Sequence, residues 1–292
     1  MNNFDIIFIG HMAIDEVHHQ NGSVSVNPGS AVLCGAMAAA KVGAHVAVIT
    51  RMALRDRVIL SPLIDAGVDI LLKPSSTTTY IQVIHPSDDM DERELIQVKC
   101  ASRFQEEDIQ DINGGVFHLA GISDQEFSLL LLRSIKAKGF CLSADMQSFV
   151  RQVHQDSGQI FFRDVKEKKE IFSLLDIVKM DVVEAKILTG SDDIVKAAEI
   201  IASYGCEEVI ITNSDGVFGF VNGQSHFSHF SNRSVIGRTG RGDTTHGAYL
   251  TWRKGHTLQE ALDFAAALAS IKMEREGPFS GDLDSVLTRM SL

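Results

Sequence analysis

Short apolar runs alternate with longer amphipathic stretches along most of this chain. Ile6-Ile7-Phe8-Ile9-Gly10 is an unbroken β-branched and aromatic run closed by a glycine, the pattern of a strand buried on both faces. Between Val17 and Val26 apolar and polar residues alternate around Asn21-Gly22, which predicts a hairpin. A helix is predicted over residues 30–42, where Ala36, Ala38, Ala39 and Ala40 permit close packing, and a strand over 45–50. A second strand-rich patch covers residues 68–101. Within it, 79–84 and 95–99 alternate as half-exposed antiparallel strands do. The acidic Asp88-Asp89-Met90-Asp91-Glu92 between them reads as a solvated hairpin loop rather than a metal cluster.

From Val116 onward the rhythm is regular. Apolar strands at 116–120, 140–144, 177–180 and 209–212 are separated by helical patterns such as 125–138 and 192–204. That is the βαβ alternation of a parallel sheet with helices on both faces. Residues 217–221 and 225–230 read as an antiparallel extension, and helices after Asp243 and over 258–273 close the fold. The expectation is a three-layer α/β/α sandwich with a mostly parallel central sheet and a small β-sheet lid. Its lid strands come from about residues 11–29 and 70–102 of a single domain spanning 1–292.

Composition narrows the function. With 292 residues, 45% hydrophobic, the chain can bury a sizeable core. Its net charge is −11 and no Lys/Arg cluster offers a footprint for nucleic acid. An anionic substrate therefore requires positive potential made locally. Cys34, Cys100, Cys141 and Cys206 are widely spaced, so neither a zinc site nor a redox dithiol is signalled. The eleven histidines form no ligand pattern. Residues 1–5 carry no secretory leader and no apolar run reaches membrane length, so a soluble, cytoplasmic protein is expected.

The strongest chemical signal is Gly237-Arg238-Thr239-Gly240-Arg241-Gly242-Asp243, which runs into a helical pattern. Glycines beside a helix start let successive amides face one concavity, to which the helix adds unpaired N–H groups and a positive dipole end. Such a site suits phosphate oxygens. Its plainer alternative is a tight turn with Asp243 as a cap.

Three motifs in order resemble the ribokinase-like (PfkB) carbohydrate kinases. They are residues 237–243, the glycine-led stretch from Gly29-Ser30-Ala31 to Val42-Gly43, and Asp181-Val182-Val183-Glu184-Ala185 with Leu188-Thr189-Gly190. Together they span nearly the whole chain. Gly-Arg-Thr-Gly-Arg-Gly-Asp-Thr looks like the myo-inositol kinase branch, as do Asp145, Gln147 and Arg151 and the Arg163-Asp164 stretch. Departures from the family pattern include Gly237-Arg238, Arg241, Cys34 and Asp181.

The resemblance implies an ATP-dependent kinase of a small polyol or sugar, myo-inositol foremost, with a nucleoside or other sugar as the alternative. Asp243 would be the base, kept ionised by helix amides and nearby cations, and the amides of Gly240, Arg241 and Gly242 would bind the transferred phosphoryl. Asp15, Gly29, Asp145, Gln147 and Arg151 would hold the acceptor. Thr212, Asn213, Gly216, Thr239 and Gly277 would border the nucleotide, while Asp181 and Glu184 would organise Mg²⁺ or else form a capping pair. Arg163-Asp164 reads as a surface ion pair. A monomer or homodimer is expected, and the need for a monovalent cation is left open. An NAD-dependent oxidoreductase is disfavoured, because Gly10 leads into His11-Met12-Ala13-Ile14-Asp15 instead of a glycine fingerprint. A non-catalytic sugar-binding protein would have no need of Asp243 between glycines.

Overall fold

The computed structural model describes residues 3–86 and 93–291, so the acidic stretch 88–92 lies outside the described residues. The strands are β1 (Asn3–Ile9), β2 (Ala13–His18), β3 (Val24–Gly29), β4 (Val46–Met52), β5 (Asp69–Pro74), β6 (Thr79–Ile84), β7 (Glu94–Lys99) and β8 (Asn113–Leu119). They continue with β9 (Cys141–Asp145), β10 (Arg151–Val153), β11 (Ile160–Phe162), β12 (Ile177–Asp181), β13 (Glu208–Thr212), β14 (Gly216–Val221) and β15 (Gln224–His229). The helices are α1 (Ala31–Lys41), α2 (Ser61–Asp65), α3 (Leu129–Ala137), α4 (Gln147–Val150) and α5 (Lys168–Leu174). They continue with α6 (Val182–Thr189), α7 (Ile194–Ser203), α8 (Arg241–Arg253), α9 (Leu258–Met273) and α10 (Leu283–Met290).

Nine strands form one sheet in the order β15-β14-β13-β12-β9-β8-β1-β4-β5. Every ladder from β13 to β5 is parallel, and β14 and β15 extend the sheet antiparallel. β1 sits inside the sheet because both of its faces are apolar. Ile6 and Phe8 join the core beneath α1, α8 and α9, whereas Ile7 and Ile9 join the core beneath α3, α5 and α7. The chain moves from β1 to β4 and β5 on one side, then returns to build β8, β9, β12 and β13 on the other. Open sheets place ligands at the strand carboxyl ends beside such a reversal. Asp145, Asp181 and Thr212 all stand at those ends.

A second sheet of four strands, β3-β2-β6-β7, rises from the end of β1. The hairpin at Asn21-Gly22 joins β2 to β3, with Gly22 at φ 81°. One part of the strand-rich patch behaves differently from the expectation. β5 pairs with β4 at the edge of the large sheet and takes no part in the small one. The short β10–β11 hairpin, which has no clear period in the sequence, hangs on the small sheet through the Gln97 amide, 2.8 Å from Gly158 O.

Helix α1 approaches α8 very closely. A Cβ on Gly247 would lie 2.3 Å from the Gly35 carbonyl oxygen. This contact of backbone on backbone brings Cys34 under the start of α8. Gly247→Val should therefore separate the helices and lower stability by about 1–3 kcal/mol. Urea denaturation reads this directly, and an unchanged midpoint would show that the two helices can slide apart freely.

Candidate active site

Gly240 caps α8 in the left-handed region at φ 77°, and a Cβ there would lie 2.4 Å from Cys34 Sγ. Only glycine meets both conditions. At Gly242 a Cβ would stand 2.6 Å from Lys179 Nζ, so this glycine makes room for an ammonium. The amides of Gly240 and Gly242 have no hydrogen-bond partner among the described residues. The third expected donor differs. The Arg241 amide donates to Arg238 O at 3.1 Å and closes the turn before the helix, and the Arg241 guanidinium lies over the Phe230 ring at 5.5 Å.

Asp243 stands in the first turn of α8 and accepts from Gln147 Nε2 at 3.2 Å. The same nitrogen donates to Gly121 O at 2.9 Å, so Gln147 holds the carboxylate in place. Gln147 was expected to bind substrate, yet its NH₂ is occupied within the protein. Asp145 is likewise engaged. Its Oδ1 accepts from the Gln147 amide at 3.1 Å and its Oδ2 pairs with Lys179 Nζ at 2.8 Å, with only 1% of the residue exposed. A buried ammonium demands a buried counter-charge, and Asp145 supplies it.

Lys179, which pattern reading passed over, thus joins the site. Burial acts to lower its pKa, but the charges of Asp145, Glu184 and Asp243 outweigh burial and hold it above the ordinary lysine value. Its one sequence signal is a lysine inside the apolar strand β12, opposite Asp145 in the β9 register. The Asp243 carboxyl is raised, first by burial and then by the charge of Asp145, against the opposing pull of Lys179 and Arg151. Helix amides and cations were expected to keep Asp243 ionised; Lys179 and Arg151 do pull its pKa down, against the larger effect of burial.

Asp15 and Gly29 come together as expected. Ala13 pairs with Gly29 across the β2–β3 ladder, and a Cβ on Gly29 would lie 1.8 Å from Asp15 Oδ2. Asp15 accepts no hydrogen bond from a described residue. Burial raises its pKa to about 6, with Arg93 and Arg151 pulling the other way. Arg151 is stacked on Phe162 at 5.6 Å, and its buried Nε has no partner among the described residues. Its charge acts on Asp15, Glu184 and Asp243 together, which places it among all three. Cys34, pushed up to about 12 by burial and then by Asp243, also feels Asp15. Asp15 and Asp243 thus both lie near enough to Cys34 for their charges to act on it.

Asp181 and Glu184 form a reciprocal capping box at the start of α6. Glu184 N donates to Asp181 Oδ1 at 2.8 Å, and Asp181 N donates to Glu184 Oε2 at 2.9 Å. Burial, then the charges of Asp181 and Asp145, raises Glu184 to about 8. Thr212 is the register partner of Asp181. Asn213 is committed to its own turn, its Oδ1 accepting from the amides of Asp215 and Gly216 at 2.8 Å each. Gly216 is required by the β14–β15 ladder, since a Cβ would meet Ser228 O at 2.2 Å. Thr239 lies in the loop before α8, whereas Gly277 turns at φ 81° after α9 and makes no hydrogen bond to the cluster among the described residues. Asp164 pairs with Lys168 at 2.7 Å and Arg163 stacks on Phe161 at 5.3 Å, so the expected Arg163–Asp164 pair does not form.

Deeper in the core, Ser143 Oγ bridges His118 Nδ1 at 3.0 Å and His246 Nε2 at 2.9 Å, tying α8 to β8 and β9 one turn beyond Asp243. Burial pushes both imidazoles down, His118 to about 3.

Residues 3–284 match the pfkB family carbohydrate kinases. This chain belongs to that family. The pfkB kinase is 27% identical over 287 residues to a cytidine kinase of Thermococcus kodakarensis, covering 94% of this chain and 98% of the other. It is 32% identical to a pyrophosphate-dependent kinase of the ribokinase family complexed with a pyrophosphate analog and myo-inositol. That structure superposes with a TM-score of 0.89, covering 97% and 99% of the two chains. The Arabidopsis thaliana ribokinase complexed with ribose and ATP shares the fold at a TM-score of 0.81 and 19% identity, over all of both chains. The large mostly parallel sheet, the small second sheet and the flanking helices are thus the ribokinase-like fold. Among the described residues no helix is long and apolar enough to cross a membrane.

The raised Asp15 has a consequence for stability. Its folded pKa of about 6 exceeds the ordinary aspartate value of 3.8, so ionisation costs folding energy as pH rises through that interval. Asp15→Asn should make the protein more resistant to urea than wild type at pH 7.5, with the gain shrinking towards pH 4. A gain independent of pH would contradict the assigned burial.

Proposed function

We propose that this pfkB kinase transfers a phosphoryl group to a hydroxyl of a cyclic polyol, with myo-inositol as the leading acceptor. One observation carries the reading. The Asp243 carboxylate stands in the first turn of α8 beside the unbonded amides of Gly240 and Gly242, and Cys34, packed against Gly240, feels the charge of Asp15 as well as that of Asp243.

In this reading the acceptor ring lies against Gly29, where the backbone has no side chain. Asp15 accepts hydrogen bonds from two neighbouring hydroxyls, as a carboxylate can. Asp243, oriented by Gln147, accepts the proton of the attacking hydroxyl. Proton transfer is late in a loose phosphoryl-transfer transition state, so orientation is the larger part of its work. The Gly240 and Gly242 amides face the charge on the transferred oxygens, and removing one such donor typically costs about 3 kcal/mol of transition-state stabilisation. Lys179 and Arg151 supply the local positive potential that a chain of net charge −11 lacks overall.

ATP is the donor first expected. Likeness to a pyrophosphate-dependent kinase, together with Arg241 and Lys179 beside the amide cradle, favours pyrophosphate as a second donor reading. The donor set fits Mg²⁺, since the capping box engages one oxygen of each carboxylate and leaves the other on Asp181 and on Glu184. The ion commonly binds through one or two carboxylates plus phosphates. When bound it would neutralise charge on the donor phosphates. The Thermococcus relative keeps a nucleoside acceptor as the alternative.

A panel of myo-inositol, ribose, cytidine and adenosine, each with ATP and with pyrophosphate, tests acceptor and donor together. Myo-inositol is expected to give the highest kcat/KM; turnover of cytidine or ribose alone would reject the polyol reading. Asp243→Asn should bind the acceptor yet lose about 10²–10⁴-fold in kcat. A variant that turns over normally would show that another group takes the proton. Because Asp243 is raised and must be ionised to accept that proton, kcat/KM should fall as pH drops through its pKa. A pH–rate profile flat on the acid limb would speak against it.

A further inference from the structure

The loop before α8 is held from behind by a lysine that no family motif quoted above contains. Lys272 lies in the last turn of α9 and is 3% exposed. Its ammonium donates to the carbonyl oxygens of both Gly237 and Thr239. The loop is seated on the same helix end by its backbone. The Gly237 amide donates to Met273 O at 2.8 Å, and a Cβ on Gly237 would lie 1.6 Å from Arg275 O. Between the two held carbonyls, Arg238 O accepts the Arg241 amide.

Peptide geometry turns this anchorage into direction. In a planar trans peptide the carbonyl and the following N–H point opposite ways. Thr239 C=O and Gly240 N–H belong to one such unit. With the oxygen fixed on the ammonium of Lys272, the Gly240 N–H is aimed away from α9, and it has no partner among the described residues. A carbonyl bonded to a cation also polarises its peptide and strengthens the N–H as a donor. Without that cation the Thr239–Gly240 unit could rotate, since glycine tolerates most backbone angles.

We propose that Lys272 is the positioning residue of the phosphoryl-binding loop, fixing the Gly240 amide in its donating direction. This rests on the assignment of that amide to the transferred phosphoryl. Lys272 touches no reacting atom. Its effect should therefore appear in kcat and leave acceptor binding unchanged.

The test compares Lys272→Met, which keeps the apolar stem, with Lys272→Ala, using the donor–acceptor pair that wild type turns over from the panel above. Circular dichroism and thermal melting establish folding, and Lys272→Gln replaces the methionine variant if that one does not fold. The expected result is a kcat loss of about 100-fold or more, as for an oxyanion-hole donor, with acceptor KM near wild type. Added butylammonium should restore part of the kcat of Lys272→Ala. A folded Lys272→Met with kcat within about threefold of wild type overturns the proposal. So does a loss that no amine restores and that tracks the fall in melting temperature, which would make Lys272 a stabilising strut only. Asp243→Asn, run in parallel, separates the two levels. If that variant keeps its turnover, the underlying catalytic assignment fails; if it is inactive while Lys272→Met is active, only the role of Lys272 fails.

Discussion

Three buried or half-buried carboxylates, those of Asp145, Glu184 and Asp243, converge on the ammonium of Lys179, and the site depends on that single charge. Unpaired ions in a protein interior cost several kcal/mol each. Lys179 answers Asp145 directly and reaches Glu184 and Asp243 through space. Glu184 is nonetheless raised to about 8, first by burial and then by the charges of Asp181 and Asp145. Arg151 supplies a second positive charge that acts on Glu184 and Asp243. A phosphoryl donor would bring more negative charge into this cluster. In the proposed reading, the unbonded amides of Gly240 and Gly242 and these two cations would offset that charge.

The architecture serves that electrostatic arrangement. Parallel strands deliver Asp145, Asp181 and Thr212 to their carboxyl ends, while α8 sets its first turn beside Lys179 and Gln147. The α8 start can sit there because Gly35 and Gly247 let α1 and α8 touch backbone to backbone, and because Gly240 and Gly242 yield space to Cys34 and Lys179. The buried Ser143 bridge between His118 and His246 then sets the helix against the sheet. The small sheet contributes Asp15 from above, with Gly29 beside it.

Membership of the pfkB kinases fixes the reaction class, and the geometry distributes labour inside it. Gln147 and Asp145, which resemblance alone would assign to the acceptor, are turned inward here to orient Asp243 and Lys179. In the proposed reading, acceptor recognition falls to Asp15, close to Gly29 and under the charge of Arg151. Asn213 and Gly216 shape the turn after β13 by their own hydrogen bonds and close contacts, which limits what they offer to a nucleotide.

Much of this was written locally in the chain. The apolar run at residues 6–9, the Asn21-Gly22 hairpin and the alternation after Val116 each specify an element through near-neighbour sterics and periodicity, and all of them formed. The glycine-rich turn and the helix start leading to Asp243 were legible too, because a left-handed glycine such as Gly240 and a helix start are local properties. Which carboxylates stay open was not local. Asp145 meets Lys179 across 34 positions, and Lys272 reaches Gly237 and Thr239 across 35 and 33. A lysine in an apolar strand or on a helix end looks like any other until packing removes its water. Tertiary burial decided which ions had to pair, and pairing decided which groups remained free to meet a substrate.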